Sequence, residues 1–152
     1  MRRISIVGNS GSGKSTLGRA LAERIGTDFV ELGSIFHQPG WEPLPIEDFQ
    51  QRVDAVTAAG SWVIDGNYRA ARPLIWSRAD TVIWLDLPRW RVLSQIVPRT
   101  LRRLVRREEL WNGNREQWTN LLSLDPERSV IAWAWHKHAF YRAEYGQAMT
   151  DP

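Results

Sequence analysis

The 152-residue chain contains no cysteine. Disulfides, thiolate metal sites and cysteine nucleophiles are excluded together, and a reducing compartment is permitted. Long apolar runs are missing as well. Met1-Arg2-Arg3 leads into a short apolar stretch that stops at Gly8, too short for a signal-peptide core or a membrane span. The expectation is a soluble cytoplasmic protein with no membrane partner. Lysine is scarce. Lys14 and Lys137 are the only two, so 18 of the 20 basic residues are arginine. Lys14 is therefore not one charge in a lysine-rich surface. The net charge of +3 is small for a duplex binder, and no DNA-reading motif is present. The guanine-specifying Asn-Lys-x-Asp and the switch motif Asp-x-x-Gly are also absent, which argues against a GTPase.

Hydrophobic residues make up 43% of the chain, enough for a globular core. No repeat, linker or low-complexity tract divides it, so a single domain over 1–152 is expected. Ile4–Val7 reads as a buried strand. Lys14–Ile25 carries Leu17, Ala20, Leu21 and Ile25 at helical spacing and stops at Gly26. Asp28–Leu32 reads as a second strand, and residues 37–45, with three prolines, as a loop. Ile46–Ala59 reads as a helix, Ser61–Ile64 as a third strand, Arg69–Trp76 as a short helix and Thr81–Leu85 as a fourth strand. A long helix runs from Pro88 to about Arg107, with a kink expected at Pro98. Asn112-Gly113-Asn114 breaks the pattern. Asp125 and Pro126 read as the cap and first turn of a last helix reaching Tyr145. Strands alternating with helices imply a parallel sheet covered on both faces.

Gly8-Asn9-Ser10-Gly11-Ser12-Gly13-Lys14-Ser15 matches G-x-x-x-x-G-K-[ST] in full. Glycines let such a loop turn its N–H groups toward phosphates, and the helix that follows offers its positive end to the same anion. The reading is a loop for the phosphates of ATP or a close relative, held by Gly8 to Ser15 and Thr16. Lys14 reaches the β- and γ-phosphates, and the Ser15 hydroxyl ligates Mg2+. The metal needs an acidic partner near a strand end. Asp65 and Asp86 both qualify. Asp65 is preferred because Gly66 leaves backbone room, whereas Asp86 precedes Pro88 and suits a helix cap. His37, beside Trp41 in the proline-rich loop, is either an acceptor contact or a surface histidine. His136 and His138, two apart on a helix, face different ways and form no metal pair.

The phosphate loop, Val63-Ile64-Asp65-Gly66-Asn67-Tyr68 and Thr81–Pro88 resemble the adenylate-kinase-like P-loop kinases. Within them, His37-Gln38-Pro39-Gly40-Trp41, Glu109–Glu116 (Glu-Leu-Trp-Asn-Gly-Asn-Arg-Glu) and Ile131–Trp135 resemble the group known as DNA topology modulation proteins. The resemblance covers nearly the whole chain. It implies an α/β three-layer P-loop NTPase, nucleoside-kinase-like, with a parallel sheet flanked by helices and a helical lid. An acceptor-side insertion is expected at 33–60 and the lid at about 99–125. It also implies that Asp65 holds Mg2+ through water, that Arg69 and Arg72 meet an acceptor, and that lid arginines close over the triphosphate. Arg99, Arg102, Arg103 and Arg106 share one helix face by spacing, and either an anion or Glu108, Glu109 and Glu116 must offset them. Arg102 and Arg106 are chosen as the phosphate contacts.

Two departures stand out. The group's Glu-Leu-Asp is Glu31-Leu32-Gly33 here, which leaves the base unidentified. The fold also calls for a fifth strand late in the chain. Either Ser129–Trp133 is that strand, or the chain is truncated before it, and truncation is the preferred reading. The function expected is phosphoryl transfer from Mg-ATP to a small acceptor such as a nucleoside monophosphate. The alternatives are a nucleotide-dependent, nucleic-acid-associated protein or an ATP binder with little turnover. Replacement of Lys14 by alanine is expected to abolish Mg-ATP binding, as measured by calorimetric titration. Unchanged affinity would refute the assignment of the loop.

Overall fold

Ile4, Ile6 and Val7 favour extended backbone, and the chain opens with β1 (Arg3–Gly8). A computed structural model describes residues 1–150. The elements that follow are α1 (Lys14–Ile25), β2 (Phe29–Glu31), α2 (Leu32–Phe36), α3 (Ile46–Thr57), β3 (Trp62–Asp65), α4 (Arg72–Arg78), β4 (Thr81–Leu85), α5 (Arg89–Arg106), α6 (Trp118–Leu121) and α7 (Val130–Ala148). Single 3-10 turns lie at Pro39–Trp41 and Trp111–Gly113. The four strands form one sheet in the order β2-β3-β1-β4, with β3 parallel to both β1 and β2. Helices flank this sheet, as the alternating pattern predicts. No helix among the described residues is long and apolar enough to cross a membrane.

The chain divides into two compact units. The first comprises Met1–Val7, Gly13–Ile83 and Trp111–Asn114, and the second Gly8–Ser12, Trp84–Leu110 and Arg115–Pro152. In the first unit, side chains alternate along β3. Trp62 and Ile64 join Leu32, Phe49, Val53 and Ile75 in a core shared with α3 and α4. By the strand period, Val63 and Asp65 face the other way, toward α1. Helix α1 approaches β2 closely: a Cβ on Gly18 would stand 2.2 Å from Cε2 of Phe29. Gly26 ends α1 in left-handed conformation at φ 68°, as a helix-stopping glycine does. The edge is tied by Asp80, whose carboxylate accepts from the N–H groups of Arg2 and Arg3 at 2.8 and 3.0 Å. Those bonds hold its carboxyl well below the usual range. In the second unit, Val92 and Ile96 of α5 pack with Ala134 of α7.

Three expectations change. Strand β2 stops at Glu31, and Leu32 already belongs to α2, because Leu32 turns into the core at 1% exposure. The last helix starts at Val130 rather than Pro126. Ser129 caps it by accepting from Ala132 N–H at 3.3 Å. Asp125 closes one separate turn instead: its carboxylate accepts from Glu127 N–H and its carbonyl from Ser129 N–H. Residues 130–133 are therefore helix, and Ser129–Trp133 is no fifth strand. Helix α5 continues across Pro98.

Valine at position 18 would have to displace the Phe29 ring. Overpacking of this kind costs about 1–3 kcal/mol. Gly18→Val is expected to lose about that much in urea unfolding, and an unchanged midpoint would contradict the packing of α1 on β2.

Candidate functional site

The phosphate loop belongs partly to each unit. Gly8–Ser12 belongs to the second unit. Gly8 has φ 146°, and a Cβ there would meet the Leu85 carbonyl oxygen at 2.8 Å. Gly11 has φ 78°, and its Cβ would meet Cβ of Ile96 at 2.9 Å. Both positions thus require glycine by conformation and by space. Asn9 is buried and pins the loop. Its Oδ1 accepts from Ser10 N–H at 2.8 Å and its Nδ2 donates to the Ala134 carbonyl at 2.7 Å. Ser12 Oγ is buried without a hydrogen-bond partner.

Gly13 opens the other stretch at φ 90° as the N-cap of α1, with no side-chain cap hydrogen bond. Nothing lies within 4 Å of where its Cβ would stand. A helix start carries partial positive charge and suits an anion. Lys14 and Ser15 follow, half-buried, and Thr16 is exposed.

Ser15 Oγ donates to Asp65 Oδ2 at 2.7 Å. Sheet geometry explains the meeting. Asp65 is the last residue of β3 and points to the α1 face, and the register sets Glu31 of β2 beside it. Arg19, one turn along α1 from Ser15, pairs with Glu31. Asp65 is 6% exposed. Burial pushes its carboxyl up, while the Ser15 hydroxyl and the Lys14 charge pull it back and Glu31 adds to the rise. A buried carboxylate with a hydroxyl on one oxygen fits Mg2+ well, because that ion takes few protein oxygens and keeps water and phosphate as its other ligands. No group of three or more His, Cys, Asp or Glu among the described residues forms an all-protein metal cage.

Gly66 has φ 142°, and its missing Cβ makes way for Leu32, whose Cβ would lie 2.8 Å off. The expected backbone room is thus taken by the core. His37 does not stand alone in a loop. Its Nε2 lies 3.1 Å from Tyr68 Oη, and its ring meets Phe36, Trp41 and Trp111. Burial pushes its pKa down. Arg69 is exposed, and Arg72 lies over the Trp76 ring at 5.5 Å. In the second unit Arg102 pairs with Glu108 at 3.4 Å and Arg103 with Glu116 at 3.2 Å, while Arg106 is exposed. Glu109 pairs with Arg115 rather than with the arginine face. Trp118 and Trp135 are exposed, and Trp111 belongs to the first unit.

Sequence reasoning missed Arg19, and it missed the place of Trp111 beside Glu31. Arg19 was legible in principle, lying four residues after Ser15 on a helix that begins at the loop. The contacts of Trp111 span some 80 positions, and no local signal announces them.

The fold is that of the P-loop kinases. A solved shikimate kinase from Acinetobacter baumannii, in complex with shikimate, aligns with a TM-score of 0.50 over 97% of this chain and 94% of that one. Its 18% identity speaks to the fold alone. Curated relatives are kinases too. A shikimate kinase of Nitratidesulfovibrio vulgaris is 28% identical over 104 residues, 57% of this chain and 58% of the relative. A bifunctional pantoate ligase/cytidylate kinase of Gloeobacter violaceus is 31% identical over 88 residues, 55% of this chain and 15% of the relative. The chain thus spans little more than half the length of the first and a small part of the second. No protein-family model matches the chain.

The raised pKa of Asp65 has a consequence for stability. Its ionised form is disfavoured in the fold, so its contribution is fully present below the unfolded value of 3.8 and is lost as pH rises through the folded value. Asp65→Asn is therefore expected to raise the melting temperature of the nucleotide-free protein at neutral pH. The same change should weaken the extra stabilisation by ADP that Mg2+ confers. A lower melting temperature without nucleotide would contradict the burial account.

Proposed function

We propose that the chain is a small-molecule kinase that binds Mg-ATP on the Gly8–Ser15 loop and transfers the γ-phosphoryl group to an oxygen of a small acceptor. The observation that carries the proposal is the 2.7 Å contact between Ser15 Oγ and buried Asp65 at the start of α1. Lys14 spreads the charge that the β- and γ-phosphates carry, and the first-turn N–H groups of α1 receive the same anion. Ser15 and Asp65 hold Mg2+, which when bound neutralises charge on the phosphate oxygens. The acceptor oxygen forms the new bond to γ-phosphorus, a hydroxyl acceptor gives its proton to water, the bond to the bridging oxygen breaks, and ADP leaves. His37, Arg69 and Arg72 are the proposed acceptor contacts, and Arg102 and Arg106 the proposed arginines on phosphate.

The relatives' names offer two acceptor classes, a hydroxylated acid such as shikimate and a nucleoside monophosphate such as cytidylate. The resemblance to DNA topology modulation proteins rests on the His37–Trp41, Glu109–Glu116 and Ile131–Trp135 runs alone. A screen of ADP release from Mg-ATP against monophosphates and small hydroxyl compounds tests the proposal. Stimulation by one compound, abolished by Lys14→Ala, is the expected result. Tight nucleotide binding with no stimulation by any compound would overturn the kinase reading in favour of an ATP binder with little turnover.

A further inference from the structure

Gly33 is buried in α2. A Cβ there would stand 2.5 Å from Cη2 and 2.7 Å from Cζ3 of Trp111. With the indole in place, only glycine fits. The indole has two further partners in the same unit. Its Nε1 donates to Glu31 Oε2 at 2.8 Å. Its ring plane lies 5° from that of the His37 imidazole, with centroids 5.9 Å apart.

The turn that carries Trp111 is held firmly to the same segment. Asn112 and Gly113 take left-handed φ of 57° and 75°, conformations that Asn and Gly tolerate best. Asn112 Nδ2 donates to the carbonyls of Ser34 and His37 at 3.1 and 2.5 Å. Asn114 is 5% exposed. Its Nδ2 donates to the Gln38 carbonyl at 2.9 Å, and its Oδ1 accepts from Trp41 N–H at 3.0 Å. Every side-chain amide in this turn is spent on the backbone of residues 34–41. An exposed crossing loop has no need of such anchorage.

We infer that Trp111 is a positioning residue: seated on Gly33, it fixes the Glu31 carboxylate beside Asp65 and lays a flat face on His37. Gly33 is then not a lost acid but the residue that admits the indole. Glu31 is held from both sides, by Arg19 at Oε1 and by Trp111 at Oε2. Its neighbour in the sheet register is Asp65. The inference rests on the kinase reading, with His37 on the acceptor side.

The test is a double-mutant cycle on Gly33→Ala and Trp111→Ala, with Trp111→Phe to remove the N–H while keeping a smaller aromatic ring. Steady-state kinetics use the acceptor found in the ADP-release screen. Each alanine variant is expected to raise the acceptor KM about tenfold or more while the KM for ATP moves less than about twofold. The double variant should be no worse than Trp111→Ala alone, since both changes break one contact. Trp111→Phe should fall between wild type and Trp111→Ala. Additive losses, or an ATP KM that rises in step, would overturn the inference. If wild type turns over no acceptor, the kinase reading fails on its own account. Amide exchange then decides the seating of Trp111: faster exchange at His37 and Trp41 in Trp111→Ala supports it, and unchanged exchange refutes it.

Discussion

The hydrogen bond from Ser15 to Asp65 is the contact on which the first unit turns. It joins the first turn of α1 to the last residue of β3, and both ends are set by regular structure. The strand period sends Asp65 to the α1 face while Trp62 and Ile64 fill the opposite core. Gly13 starts α1, and the Ser15 hydroxyl lies in the first turn of that helix. Burying Asp65 is unfavourable, since one hydroxyl does not replace the water that a carboxylate gives up. Such a group persists where a bound cation and phosphate complete its surroundings. Under the proposed function, a bound cation would offset the burial of Asp65.

A second constraint organises the other half of the same unit. Glu31 lies beside Asp65 in the sheet, and two like charges side by side need partners. Arg19 from α1 and the indole N–H of Trp111 supply them. The aromatic group around His37 grows from the same seat, since Trp111 meets Gly33, Glu31 and His37 at once. The short turn Trp111–Gly113 is therefore part of the architecture around the end of β2, although it lies some 80 residues away in sequence.

Much of the phosphate loop was legible because its physics is local. Glycine at 8, 11 and 13 reflects positive φ, and Lys14 and Ser15 follow from the start of a helix. Thr81–Leu85 was legible to the residue because three β-branched residues and a tryptophan run together there without competing helix signals. Asp125 misled because its cap is real but closes a single turn, and the helix proper waits for Ser129. Leu32 misled because a leucine at the end of a strand serves a helix equally well, and the core decided. Gly33 read as a deficit because the ring that fills its space comes from residue 111. Contacts between distant segments carry no periodicity, and only the folded chain reveals them.

The central claim is that Ser15 and Asp65 together hold the cation that accompanies the nucleotide. The most direct measurement is the affinity for ATP with and without Mg2+, in the wild-type chain and in Ser15→Ala. The account predicts that Mg2+ strengthens binding in the wild type and that this increment is largely lost in Ser15→Ala, with metal-free binding little changed. An equal increment in both proteins would contradict it.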